Sequence, residues 1–389
     1  ENLLKENYGV IREKVAPFLI SDNLNFLISN GCSMYTGSKG INDTAKKDLL
    51  DIIEKYKSKK ELQSLLKTVD FSDLSPEKVL DKLYQIDNFY TNILSNKGIT
   101  KKIKSLIEEY KEIFLKNYVL GVNYKDPYLH EALLLKLVSI KKQNHINIFT
   151  LNYDLAFEYA CDELGIEYIN GFVGFNERNF RPEVYNYDFF FPGDTTEGKV
   201  RRIERVIKYY KLHGSLNWVY KNQNKNNPYG LYEIPIELVR MKLENKMDNL
   251  GEIMIYPTSS KKEYTLNFPY SELFRKFADR LQQPEAVLFV VGYSFYDEHV
   301  NDIIYQALAN PSFTLIIVDF NGTKNNEEIK RLNDLKDPRI IICQGEELGD
   351  FKYFSKELLP TIDQEDTRAK VMSSLEKLYQ AENDKKQEE

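Results

Sequence analysis

A chain of 389 residues, 42% of them hydrophobic, has enough apolar side chain for one large globular domain or two ordinary ones, which excludes a disordered protein. The 53 Lys and Arg against 59 Asp and Glu give a formal charge of −6, so the basic excess of a nucleic-acid-binding domain is missing and direct nucleic-acid binding is not expected. Three scattered cysteines, Cys32, Cys161 and Cys343, and four histidines without ligand spacing argue against a disulfide framework and a structural zinc, and for a reducing compartment. With no run of 18 apolar residues and no signal-peptide pattern, a cytoplasmic protein without a membrane span is expected.

In chain order, NLNFLI (23–28) reads as a short apolar strand that breaks into the turn SNGCSMYTG. Residues 44–142 then repeat apolar positions at three- and four-residue spacing, the mark of amphipathic helices, with Ser75 and Thr100 as candidate N-caps. INIFTLN returns to strand pattern, and the helix DLAFEYACDEL ends at Gly165. The middle holds the basic run KVRRIERVIKYYK (199–211), read as a solvated or partner-contacting face. It also holds IKYYKLHGSLNWVY, two strands or one bent one, and the short strand EIMIYP.

The last third alternates helix and strand: YSELFRKFADRLQQ, EAVLFVVGYS, DEHVNDIIYQALA, SFTLIIVDFN, NNEEIKRLNDL, RIIICQ. Continuous Val, Ile, Leu and Phe runs between helices predict a parallel sheet covered on both faces. The predicted fold is therefore a doubly wound, Rossmann-like α/β fold with a large helical insertion after the first strand. Residues 1–43 and 144–360 would form the sheet domain and 44–143 the insertion. Residues 361–389 read as a helix fading into a charged tail.

Ligands of such sheets collect at the carboxyl ends of the strands. Ser29 to Ser33 offers glycine, hydroxyls and exposed N–H groups that can hold a phosphate, although an ordinary turn needs no more. Asp319, closing a strand, can accept ribose hydroxyls or cap the next helix. Ser294 can meet a phosphate or cap the helix that starts near Asp297. Asp154 can cap DLAFEYACDEL, whereas the sequence offers no structural role for Asn152. His213 is either a structural histidine or, followed by Gly214, a general base at a close approach.

In combination these stretches resemble the sirtuin family, and more closely its divergent bacterial branch of sirtuin-like NAD-hydrolysing defence proteins. Ser29, Asn30, Gly31, Ser33, Thr36 and Gly37 align with the family's GAGxS turn and the glycine beyond it. Thr150-Leu151-Asn152-Tyr153-Asp154 matches TQN-x-D, His213-Gly214 the catalytic HG, Gly292-Tyr293-Ser294 the GTS, and Val318-Asp319, with Asn321 nearby, the adenosine-ribose motif. The order holds through about 320 residues.

The departures are Ser29-Asn30 for the family's Gly-Ala, the absence of Pro-Asp-Phe-Arg after Gly37, and the absence of the cysteines for the deacylases' zinc. The resemblance implies NAD+ as substrate without zinc, cleaved to nicotinamide and ADP-ribose. Asn152 would position water, Asp154 the carboxamide, and His213 would be the base. Gly31, Ser33 and Ser294 would hold phosphates and Asp319 the ribose. A protein deacylase, an ADP-ribosyltransferase and a silent NAD-binding scaffold remain the alternatives. The resemblance further implies abortive anti-phage defence in a homo-oligomer, or beside a HerA-type ATPase or short Argonaute-related partner. The 361–389 tail leaves no room there for a ligand-sensing domain, so control by assembly is expected.

Overall fold

The computed structural model describes residues 2–37, 44–69, 71, 76–120, 126–140, 144–191, 201–203, 205–244, 252–255, 268–321 and 326–359. The expected cap Ser75 and the helix and tail over 361–389 lie outside the described residues. The strands are β1 (Leu24–Ile28), β2 (Ile146–Thr150), β3 (Glu167–Ile169), β4 (Phe172–Val173), β5 (Arg178–Phe180), β6 (Phe190–Phe191) and β7 (Arg201–Arg202). They continue as β8 (Val206–Lys211), β9 (Gly214–Tyr220), β10 (Leu231–Glu233), β11 (Glu252–Ile255), β12 (Val287–Val291), β13 (Thr314–Asp319) and β14 (Ile340–Gln344). The helices are α1 (Asn2–Val15), α2 (Thr44–Lys57), α3 (Lys60–Lys67), α4 (Pro76–Asn88), α5 (Lys97–Leu120) and α6 (Tyr128–Ser139). After them come α7 (Ala156–Leu164), α8 (Ile236–Leu243), α9 (Tyr270–Leu281), α10 (Glu298–Ala307) and α11 (Glu327–Asp334).

Seven strands form an all-parallel sheet in the order β14-β13-β12-β1-β2-β8-β3, the doubly wound α/β architecture expected. Every residue of β1, β2 and β12 is buried, because helices cover both faces. Side chains alternate between those faces. Phe26, Ile148 and Phe289 join one core with Leu133 and Leu137 of α6, and Leu27, Phe149 and Leu288 join the other with Leu273 and Phe277 of α9.

A second, antiparallel sheet has the order β11-β9-β10-β5-β4. IKYYKLHGSLNWVY is therefore two strands in two sheets: β8 lies between β2 and β3 in the parallel sheet, and after Leu212 and His213 the chain enters β9 of the other. Helices α2 to α5 share a third core with Leu216 and Val219 of β9, Val239 of α8, and Tyr153.

Two expectations are corrected. Thr100 does not cap a helix: α5 begins at Lys97, and the Asn96 side chain accepts the Ile99 N–H at 3.2 Å. The described part of the basic run is not one solvated face: Arg201 and Arg202 form β7, and β8 buries Lys211 to 3% side-chain exposure against Glu158.

At the amino end of the sheet Asn147 Nδ2 donates to Asn25 Oδ1 at 3.0 Å, and Asn25 Nδ2 to the Val287 carbonyl at 3.2 Å. These buried amides are satisfied only when β12, β1 and β2 stand in this register, so they oppose a slip of the strands. Phe289, fully buried and stacked on Phe26 at 5.1 Å, tests the packing. Phe289→Ala is expected to lower the unfolding free energy by about 3–5 kcal/mol in urea titration, as for other buried aromatic truncations.

Candidate active site

The strands β12, β1, β2 and β8 end side by side, and their pairing runs on past the last strand residue. Ser29 N–H donates to the Val291 carbonyl at 3.1 Å, Leu151 N–H to Ile28 at 3.0 Å, and Leu212 N–H to Thr150 at 2.9 Å. One carboxyl edge thus gathers the turn after β1, the Asn152 to Asp154 turn, His213 and the Gly292 turn. Asp319 stands one strand further out.

The turn after β1 folds as two consecutive 3-10 turns, Asn30–Cys32 and Met34–Thr36, and Gly37 ends it in the left-handed region at φ 85. It presses on the turn after β12: Gly31 N–H donates to the Gly292 carbonyl at 3.2 Å. A Cβ on Gly31 would stand 2.9 Å from Gly292 Cα, and one on Gly292, at φ +67, 2.9 Å from the Cys32 nitrogen. Neither position accepts a side chain without backbone movement.

Asn152 is buried, and its Nδ2 donates to the Ser29 carbonyl at 3.1 Å and to Ser33 Oγ at 2.9 Å. The sequence offered no structural role for this side chain; the structure gives it one, since it ties the end of β2 to the turn after β1. Ser33 and Thr36 are buried too, and the Thr36 hydroxyl donates to the Ser33 carbonyl at 2.7 Å, which fixes the turn from within. Asn30 is half-buried and Gly31 open to solvent.

Asp154 caps α7 through Oδ1, which accepts the Ala156 N–H at 3.0 Å. Below it the Lys211 ammonium donates to the Asp154 carbonyl and to Glu158 Oε1, the latter at 2.6 Å. Burial pushes the Glu158 carboxyl up to about 7 against the pull of the Lys211 charge. A buried ion pair of this kind is strongly destabilising when one partner is removed.

His213 occupies the crossing from β8 to β9, and Gly214 at φ 91 supplies the left-handed backbone of the crossing. Its Nε2 lies 3.0 Å from Asp297 Oδ2, an ion-pair distance. The ring faces Tyr153 and Phe274 at 6.4 and 6.2 Å between centroids. Sequence reasoning placed a helix start at Asp297 but missed this contact. The signal at hand was a carboxylate where an uncharged cap suffices.

Ser294 is exposed, and its carbonyl accepts from Asn326 Nδ2 at 2.8 Å. Asn326 also caps α11 by accepting the Glu328 and Ile329 N–H groups at 3.0 and 3.2 Å. Asp319 is therefore not the cap of that helix; it is buried at the end of β13, while Asn321 is exposed. Among the described residues no three His, Cys, Asp or Glu side chains could hold a metal ion, and no helix is long and apolar enough to cross a membrane.

Residues 146–336 match the SIR2-like domain family. That span, 191 of the 389 residues, is similar to a SIR2-like domain. SIR2-like domains are in general NAD-dependent enzymes, and the match suggests a NAD-related activity. No curated protein matches the chain. The SIR2-like span holds Asn152, Asp154, His213, Gly292, Ser294 and Asp319 but not the turn Ser29 to Gly37. That turn is nonetheless joined to the SIR2-like domain by the Asn152 amide and the Gly31–Gly292 approach.

The same turn is held from below by Tyr35, whose hydroxyl is hydrogen-bonded to Nδ1 of the buried His130 at 2.6 Å. Burial lowers His130 from its ordinary 6.5 to about 4, so the ring is neutral at pH 7. A histidine held below its unfolded value stabilises the fold above about pH 6.5 and loses that contribution as pH falls toward 4. Between pH 7 and pH 5 the unaltered chain should lose about 2 kcal/mol more unfolding free energy than His130→Gln, compared by urea titration at both pH values. Equal losses would refute the assignment.

Proposed function

We propose that this chain hydrolyses NAD+ at the bond between nicotinamide and ribose, giving nicotinamide, ADP-ribose and a proton. The observation that carries the reading is Asn152. It is buried at the end of β2, locked by its amide to the turn after β1, one strand from a histidine that a carboxylate backs.

The residues present suit a dinucleotide. The Gly31–Gly292 approach leaves a stretch of edge without Cβ atoms, where a pyrophosphate can come close to the main chain. Asp319, buried and not spent on capping α11, suits the adenosine ribose. In this reading Asn152 aligns the attacking water and a ribose hydroxyl. Asp154 keeps one carboxylate oxygen on α7 and directs the other at the nicotinamide carboxamide. His213 accepts the proton that the nucleophile loses.

NAD+ loss is lethal if unchecked, so an activity of this kind needs control. We read the chain as a NAD-depleting element of bacterial anti-phage defence governed by a homo-oligomer or a partner such as a HerA-type ATPase or a short Argonaute-related protein. Support comes from the helical core of α2 to α5, which contains the ring of Tyr153, the residue between Asn152 and Asp154.

Nicotinamide release by the purified chain, alone and with partner, tests the chemistry. Asn152→Ala and His213→Ala are each expected to lower it at least 100-fold, the scale on which positioned acid and base groups act, while thermal melts stay cooperative. Activity that survives both changes, or turnover confined to acyl-lysine peptides, would overturn the proposal.

A further inference from the structure

Asp297 does two things at once. Its Oδ1 accepts the His299 and Val300 N–H groups at 3.1 and 3.5 Å, the N-cap of α10. Its Oδ2 stands 3.0 Å from His213 Nε2, with the carboxylate side chain 5% exposed and the imidazole 11%. Capping alone does not explain this residue. Asn, Ser or Thr caps a helix about as well and spares the chain a buried charge, which costs free energy unless it meets an opposite charge or enough donors.

The carboxylate is also held rigidly. Its main-chain N–H donates to the Tyr293 hydroxyl at 3.2 Å, and that hydroxyl donates to Asn301 Oδ1 at 2.8 Å. Asn301 Nδ2 in turn holds the carbonyl of Phe295, which sits in the left-handed region at φ 58. A non-glycine residue in that region is strained and persists only where its surroundings fix it. The strained turn after β12 thus presents Asp297 to a histidine in the crossing from β8 to β9.

We infer that Asp297 is the positioning residue for His213, fixing its ring and stabilising the imidazolium formed when His213 takes a proton. The inference rests on the base role assigned to His213 above. A carboxylate that stays ionised beside an imidazole favours the protonated ring, which makes His213 the stronger base. The groups facing the imidazole are Asp297 from the start of α10, Tyr153 from the turn after β2 and Phe274 from α9. His299 packs on the same Phe274 ring at 4.6 Å.

The test uses the full chain and the variants D297N and D297S, both of which retain an N-cap, with His213→Ala to assign the His213 imidazole signal in an NMR pH titration. Both Asp297 variants are expected to melt within a few degrees of the unaltered chain. Both should lower the His213 titration midpoint by about one pH unit, the usual scale for losing an adjacent opposite charge. The acid limb of the kcat profile for nicotinamide release should move down with it, and the plateau fall at least tenfold. A midpoint and acid limb that stay put in both variants overturn the inference, even if His213→Ala is inactive. Nicotinamide release that persists in His213→Ala overturns the base role itself, and the titration midpoint tells the two failures apart.

Discussion

The carboxyl edge depends on two backbones lying closer together than side chains allow. Gly31 and Gly292 meet where β1 and β12 give way to their turns, and with a Cβ on either the strands would be pushed apart beyond their last pairing. The turn after β1 could not then sit low enough for its Ser29 carbonyl and Ser33 hydroxyl to reach the Asn152 amide. Strand spacing, turn geometry and the placement of Asn152 are thus one constraint expressed three times. The glycines also leave the backbone bare at the edge, so a ligand can approach the main chain more closely than it could beside a side chain.

Beneath this edge the protein keeps charges out of water. Lys211 ends β8 buried between the Asp154 carbonyl and Glu158, and the Tyr209 hydroxyl donates to the other Glu158 oxygen at 3.4 Å. The Asp154 charge also raises the proton affinity of Cys32, His130 and Tyr209, so it is felt on several elements at once. Groups coupled this tightly have little freedom to move independently, which suits a site whose side chains must keep their alignment.

Much of this was legible in the sequence for a physical reason. Strands buried on both faces are unbroken apolar runs, so β1, β2, β12 and β13 stood out, and a polar residue closing one, such as Asn152 or Asp319, stood out against them. Pairings between distant segments leave no such trace. Nothing local links Asn25 to Asn147, Tyr35 to His130 or Asp297 to His213. The run 199–211 misled because charge density was weighed without the pleat. Alternation along β8 carries one lysine inward whatever its neighbours do, and Lys211 is buried because Glu158 waits there.

Tyr153 has a consequence for motion. Its neighbours Asn152 and Asp154 belong to the sheet edge, yet its side chain joins the apolar core that α2 to α5 share with β9 and α8, and its carbonyl accepts the Leu216 N–H at 3.1 Å. The peptide carrying the two polar groups is anchored in a body other than the sheet, so the packing density of the helices limits how far Asn152 can fluctuate. Deleting that block would therefore not yield a smaller version of the protein. It would uncover an apolar socket beside the carboxyl edge and release the backbone that the edge is built on.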